Sequence, residues 1–394
     1  MNRRRFRALE KYVQRQELPM KFPTLLCTAA LIALSACGGS GDKADSPPKS
    51  EAAAKTLEWK DDGMVSRDGD AAADDVARPE MQLQVVLDRL GFSPGVVDGK
   101  LGMSTTNALK GFQEAKGLSV SGEWDAATKA ALADSAKIPA TRMVTVPASY
   151  AEAAFAPLPE KPAEQAKLAS MGYETLLEKL AERFHTTPDV LRDLNPELAG
   201  PAPAAGEPAS GPAPTPVAAG TKLRVPNVGA DQIVAADVDN ADWLATLSSL
   251  GVGSSQPQAD RVEVSKKAGT MKVFDAGGKL IALFTVTTGS AHDPLPIGKW
   301  KVKGVGRNPD YAFDPALLRG VAASEGKHRL PPGPNSPVGV VWIDLNKEHY
   351  GLHGTPEPQN IGRTESNGCV RLTNWDAARL AQMVSVGTKV DFVA

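Results

Sequence analysis

Ser366-Asn367-Gly368-Cys369-Val370-Arg371-Leu372-Thr373-Asn374-Trp375-Asp376 decides how the C-terminal third of this chain folds. Thr373, with Asp376 three positions on, starts a helix whose inner face carries Ala377, Leu380, Ala381 and Val384 and which ends near Gly387. Upstream the apolar period is two. Residues 261–264, 271–274, 280–287, 300–305 and 338–345 are rich in β-branched and apolar side chains between Gly and Pro turns, and 389–393 repeats the pattern. The expectation is a mainly antiparallel β domain over 260–394 with one short helix. Cys369 then stands at a junction of sheet and helix, held rigidly yet exposed.

Cys369 is one of three cysteines, and the other two have different assignments. Cys27 lies in the apolar run 22–33, and Cys37 closes Leu34-Ser35-Ala36-Cys37, the pattern at which bacterial lipoproteins are cleaved and acylated. Read from Met20, Lys21 supplies the charge of an export signal whose apolar run is shorter than the ~18 residues a membrane span needs. Arg3-Arg4-Arg5 hints at twin-arginine export but lies far from that run. Cleavage before Cys37 leaves a single thiol in an oxidising compartment, which marks it as an intermolecular bridge or a reactive nucleophile. Gly38 after the cysteine points to outer-membrane sorting. The expected location is therefore the periplasm, with the protein anchored as a lipoprotein.

Removing 1–36 takes seven Lys/Arg and two Asp/Glu from the chain's 44 and 46, for a net charge of about −7. A negative chain without a basic stripe is not a nucleic-acid protein. Its length suits two or three domains. Residues 37–79 read as a flexible tether. From Met81 to Leu132, Leu83, Val86, Leu87 and Leu90 recur at helical spacing, Asp98-Gly99 turns the chain, and Ser104 is a candidate N-cap for a second helix with Ala108, Leu109 and Phe112. A third helix follows Asp125. After a Pro- and Ala-rich stretch, 173–181 and 190–196 read as two helices with Leu176, Leu177, Leu180 and Phe184 inward, and 220–226 as a closing strand.

A thiolate nucleophile needs a base, and histidine is the usual one. Of the five histidines, His185 belongs to the middle segment, His292 and His328 to loops, and His349 and His353 to one short strand before the cysteine. His353 precedes Cys369 by sixteen residues, with a Pro/Gly-containing loop between. Four apart on a strand, His349 and His353 would be ~13 Å apart, too far for one zinc ion. No metal and no cofactor are expected.

Three stretches carry family resemblances. Gly95 to Gly102 with Ala108-Leu109-Lys110-Gly111-Phe112-Gln113 resembles the small three-helix peptidoglycan-binding domain. Residues 171–228 resemble a degenerate LysM glycan-binding module, interrupted by a Pro/Ala/Gly insertion at 200–219. His353-Gly354 followed by Ser366-Asn367-Gly368-Cys369-Val370-Arg371, supported by 293–300 and 332–339, resembles the L,D-transpeptidase catalytic domain of the YkuD-like family over about 130 residues. The organisation these imply is multidomain α+β. Residues 1–36 are a signal peptide, 37–79 a tether, 80–134 a three-helix domain, 135–170 a linker, 171–228 a LysM-like module, 229–259 a linker and 260–394 the catalytic domain.

The resemblance makes Cys369 the nucleophile and His353 its base, with the Gly354 carbonyl orienting the imidazole. It places backbone N–H groups at Gly368 and Cys369 on the oxyanion and Arg371 on a substrate carboxylate, with Ser366 and Asn367 also at the substrate. The family most often has histidine where this chain has Asn367. Asparagine hydrogen-bonds but carries no proton at neutral pH, so altered orientation or pH profile is expected, with catalysis retained by His353. The implied partners are peptidoglycan stem peptides and glycan, and the outer membrane through the lipid. The acyl acceptor stays open between a stem amine, a protein lysine and water. A wall-binding lipoprotein with impaired catalysis is the alternative of a different class.

Overall fold

A computed structural model describes residues 74–199, 216–228, 233, 235–317, 322–366 and 368–394. Cys37, Asn367, the export segment and most of the expected tether and insertion lie outside the described residues.

The first unit is helical: α1 (Pro79–Arg89), α2 (Met103–Ala115) and α3 (Ala126–Ala131). Asp125 caps α3 by accepting from the Thr128 N–H at 2.8 Å. Gly102, not Ser104, is the N-cap of α2, so Ser104 sits inside the first turn. The tight turn at Gly102 starts the helix two residues earlier than the side-chain signal implies.

The segment 135–170, expected as linker, contains β1 (Thr141–Thr145) and two single turns, α4 (Ala148–Ala151) and α5 (Pro162–Gln165). After α6 (Leu176–Arg183) and α7 (Pro188–Leu194), β2 (Lys222–Pro226) pairs antiparallel with β1. A strand needs a partner for its backbone groups, and the partner of β2 lies before residue 171. Thr175 and Glu178 form a reciprocal capping box at the start of α6. Leu180 and Phe184 are buried in a core with Leu191, Leu223 and Val225, to which Met81, Val85 and Val97 of the first unit also contribute.

The segment 229–259 likewise is not only linker. It holds α8 (Ala241–Leu250), capped by Asn240 and ended by Gly251 at φ +66°. Trp243, Leu247 and Leu250 of α8 are buried in the core of the β domain.

That domain contains β3 (Arg261–Ser265), β4 (Thr270–Phe274), β5 (Leu280–Thr285), β6 (Gly298–Arg307), β7 (Tyr311–Phe313), β8 (His328–Leu330), β9 (Val341–Leu345), β10 (Gly351–His353), β11 (Val370–Arg371), α9 (Asn374–Met383) and β12 (Lys389–Val393). Eight of these strands form one sheet in the order β11-β10-β9-β6-β12-β3-β4-β5. Pairing is mainly antiparallel, with β10/β11 and β12/β3 parallel. Thr287, just past β5, bridges to Arg371 of β11, so the sheet curls until its two ends meet. The outer edge of β5 is covered by residues 91–93, which exchange backbone hydrogen bonds with Leu283, and by α2, where a Cβ on Gly111 would collide with the Leu283 side chain. Thr373 caps α9 by accepting from the Asp376 N–H at 3.1 Å. The helix ends at Met383 rather than near Gly387, which instead forms the turn into β12 at φ +95°.

Candidate active site

The pairing of β10 with β11 builds the site. Leu352 and His353 lie opposite Val370 and Arg371, so the same parallel register puts Cys369 beside Gly351. Side chains alternate along a strand, so Cys369, Arg371 and His353 leave one face, with thiol and imidazole as diagonal neighbours. Gly351 contributes no side chain between them, and the Trp342 indole fills that space: a Cβ there would collide with it. The indole also stacks on the His353 ring at 5.5 Å between centroids.

Cys369 is 7% exposed, so the expected exposed thiol is in fact buried. Its Sγ lies 4.0 Å from the His349 carbonyl oxygen. Burial pushes the thiol up to about 11, opposed in part by the Gly351 N–H. His353 is 2% exposed, and its Nδ1 hydrogen-bonds the Gly354 carbonyl at 2.7 Å. A carbonyl only accepts, so Nδ1 carries the hydrogen and Nε2 keeps its lone pair. Burial lowers the imidazole to about 4, against the pull of the Gly354 carbonyl. At neutral pH the resting pair is therefore thiol and imidazole, both uncharged.

Gly368 has φ +115°, and a Cβ there would stand 2.9 Å from the Tyr350 ring. Its N–H donates to Ser366 Oγ at 3.2 Å, and the Ser366 hydroxyl in turn donates to the Cys369 carbonyl at 2.5 Å. Ser366 thus ties the turn at Cys369 together, and Gly368 spends its donor within that turn. Arg371 exchanges backbone bonds with Thr287 at 2.9 and 3.1 Å. Burial lowers its guanidinium to about 10, which leaves it charged at neutral pH.

His349 departs from expectation. It lies in the turn before β10 with φ +75°, not on a strand with His353, so the strand-spacing argument does not apply to the pair. Among the described residues no group of three or more His, Cys, Asp or Glu side chains is arranged to hold a metal ion.

Tyr311, absent from the sequence reading, belongs to the site. It is fully buried on β7, and burial first, with the thiolate form of Cys369 second, pushes its phenol above its ordinary value. Its hydroxyl has no hydrogen-bond partner among the described residues. Tyr350 is raised as well, by burial first and then by Cys369 and Asp293. The aromatic residue in Asn308-Pro309-Asp310-Tyr311 was legible only as a strand former, because nothing local connects it to a cysteine 58 residues later.

Residues 259–392 match the L,D-transpeptidase catalytic domain family, YkuD, and 81–132 match a peptidoglycan-binding domain. A protein of Bacillus licheniformis named L,D-transpeptidase YkuD is 26% identical over 214 residues, 54% of this chain and 91% of that one. One of Bacillus subtilis strain 168 named L,D-transpeptidase YqjB is 30% identical over 135 residues, 33% of this chain and 68% of its own length. Among solved structures, L,D-transpeptidase 3 from Mycobacterium tuberculosis with a faropenem-derived adduct is similar at 18% identity and TM-score 0.29, over 34% of this chain and 60% of that chain.

Proposed function

Because this chain belongs to the L,D-transpeptidase family, we infer that it transfers a peptidoglycan stem peptide from its donor to an amine acceptor through an acyl-thioester on Cys369. The single observation that carries the reading is the 2.7 Å bond from His353 Nδ1 to the Gly354 carbonyl, on the face of the sheet that also presents Cys369. It leaves Nε2 free as the base.

With thiol and imidazole both neutral, attack and proton transfer go together. The Cys369 sulfur bonds the carbonyl carbon of the third residue of a tetrapeptide stem while His353 Nε2 takes the thiol proton. The tetrahedral oxyanion collapses, the C–N bond to the terminal D-alanine breaks, and the imidazolium returns the proton to the leaving amine. An acceptor amine then attacks the thioester, gives up a proton through the same imidazole and releases the thiol. The oxyanion is held by the Cys369 N–H and by the Tyr311 hydroxyl, a buried donor that gains a partner only when a polar group enters beside the thiol. Arg371, still charged, pairs with a substrate carboxylate.

Around this site, residues 81–132 hold the enzyme at the wall. The β1–α6–α7–β2 unit is a LysM-like glycan-binding module, a reading supported by its helices and closing strand. Leu34-Ser35-Ala36-Cys37 supports a lipid anchor in the outer membrane and a periplasmic site of action. The test is incubation of the purified protein with defined tetrapeptide muropeptides and mass analysis of the products. Dimers linked between third-position residues are expected; hydrolysed stems alone, or a Cys369→Ala variant with full activity, would refute the reading.

A further inference from the structure

Asn374, the first residue of α9, is wholly buried. Its Nδ2 donates to Glu182 Oε1 at 2.7 Å and to the Pro334 carbonyl at 3.0 Å. Its Oδ1 accepts from the Val340 N–H at 3.3 Å and lies against the Cα atoms of Gly339 and Gly354, so closely that a Cβ on either would collide with it. The Gly354 carbonyl is the group that orients the His353 imidazole. Which way the Asn374 amide points therefore matters at the base. A flipped amide would turn its NH2 onto the Val340 N–H and leave two donors facing each other.

Glu182 holds that direction together with the Pro334 carbonyl and the Val340 N–H, and makes the shortest of the three bonds. Burial raises its carboxyl to about 7, and in either protonation state it keeps an oxygen that accepts, so it draws Nδ2 to itself and leaves Oδ1 at Val340 and Gly354. It lies near the end of α6, outside the catalytic domain, and is held by a hydrogen bond from Tyr173, whose hydroxyl accepts from Ser249 at 3.2 Å. Three residues on, His185 stacks on Trp375 at 5.0 Å with the rings 6° from parallel. One turn of the middle unit thus grips the first two residues of α9.

We propose that Glu182 is a positioning residue for His353, acting through the Asn374 amide and the Gly354 carbonyl, so that the middle unit sets the geometry of the catalytic base. The proposal rests on His353 being the base. The experiment uses the full chain, acylated by a carbapenem and followed by intact mass, with Glu182→Leu to remove the acceptor at similar volume and Glu182→Gln to restore one. In Glu182→Leu the acylation rate constant should fall roughly ten- to a hundredfold with little change in the half-saturating concentration, as expected of a sub-ångström misplacement. Glu182→Gln should recover it. Nitrogen-15 histidine spectra should show His353 as the Nδ1–H tautomer in the parent and in Glu182→Gln, and as a mixture in Glu182→Leu. An unchanged rate and tautomer in Glu182→Leu, or a Glu182→Gln as slow as it, overturns the proposal. If Glu182→Leu does not fold, Tyr173→Phe frees Glu182 from its second partner; a smaller fall in the same direction supports the proposal, and an unchanged rate overturns it. A parent protein that is not acylated at Cys369 refutes the acyl-transfer reading instead, and the tautomer spectra then decide the proposal alone.

Discussion

At the residue scale, burial sets the charge states and those set the pH dependence. His353 is lowered to about 4 from an ordinary value near 6.5, so it stays a competent base across the interval between them. Acylation of Cys369 should therefore hold its rate down to about pH 5 and fall only near 4; an acid limb at 6.5 would contradict this. The same depression has a stability sign. The unfolded chain binds the proton between these values and the folded one does not, so this group costs stability as pH drops through that window. Tyr311→Phe separates packing from chemistry. Removing an orphaned hydroxyl should leave stability unchanged or slightly raised, while losing an oxyanion donor should lower the acylation rate by roughly a hundredfold. Thermal unfolding alongside acylation kinetics checks both. Cys369 and His353 were legible as candidates from their own neighbours in sequence. Tyr311 and Glu182 were not, because what singles them out is burial and contacts that no local pattern encodes.

At the scale of elements, α9 carries more than its share. Its cap was readable from Thr373 and Asp376, and Thr373→Ala should cost about 1 kcal/mol by urea unfolding. What the helix touches was not readable. Asn374 meets Glu182, Trp375 meets His185, and Arg379 makes two bonds to Asp88 at 2.9 and 3.0 Å. Strand periodicity located β3 and β12 well because each alternates against one core, and β4 because its apolar residues are buried on both faces. It misjudged 135–170 because β1 pairs only with β2, some 80 residues further on.

Across the whole molecule, the units share cores instead of hanging on linkers. Phe92 and Phe112 of the first unit pack with Phe274, Leu280 and Leu283 of the sheet. Asp88 sits where all three units meet, fully buried, bonded to Arg379 and 3.2 Å from His185 Nδ1. Burial alone would raise its carboxyl, but Arg379 and His185 hold it well below the usual range. Asp88→Ala would take two short bonds from the buried Arg379 guanidinium, with Asp376 at 3.8 Å remaining, and should cost about 3 kcal/mol. Lys389→Ala, which removes an exposed partner of Asp260, should cost about 1 kcal/mol or less. Urea unfolding of both full-length variants decides the comparison; similar losses would mean that the buried pair does not join the units.

The β character of the C-terminal domain, the helix after Thr373 and the candidate pair Cys369 and His353 follow from sequence alone, since periodicity, capping and a nucleophile-base motif are local or nearly so. Tertiary structure decided the burial of the thiol, the closure of the sheet at Thr287 and the seating of both accessory units on the catalytic domain. Each depends on pairs distant in the chain whose side chains, Glu182 with Asn374 and Asp88 with Arg379, are ordinary polar residues until folding removes water from between them.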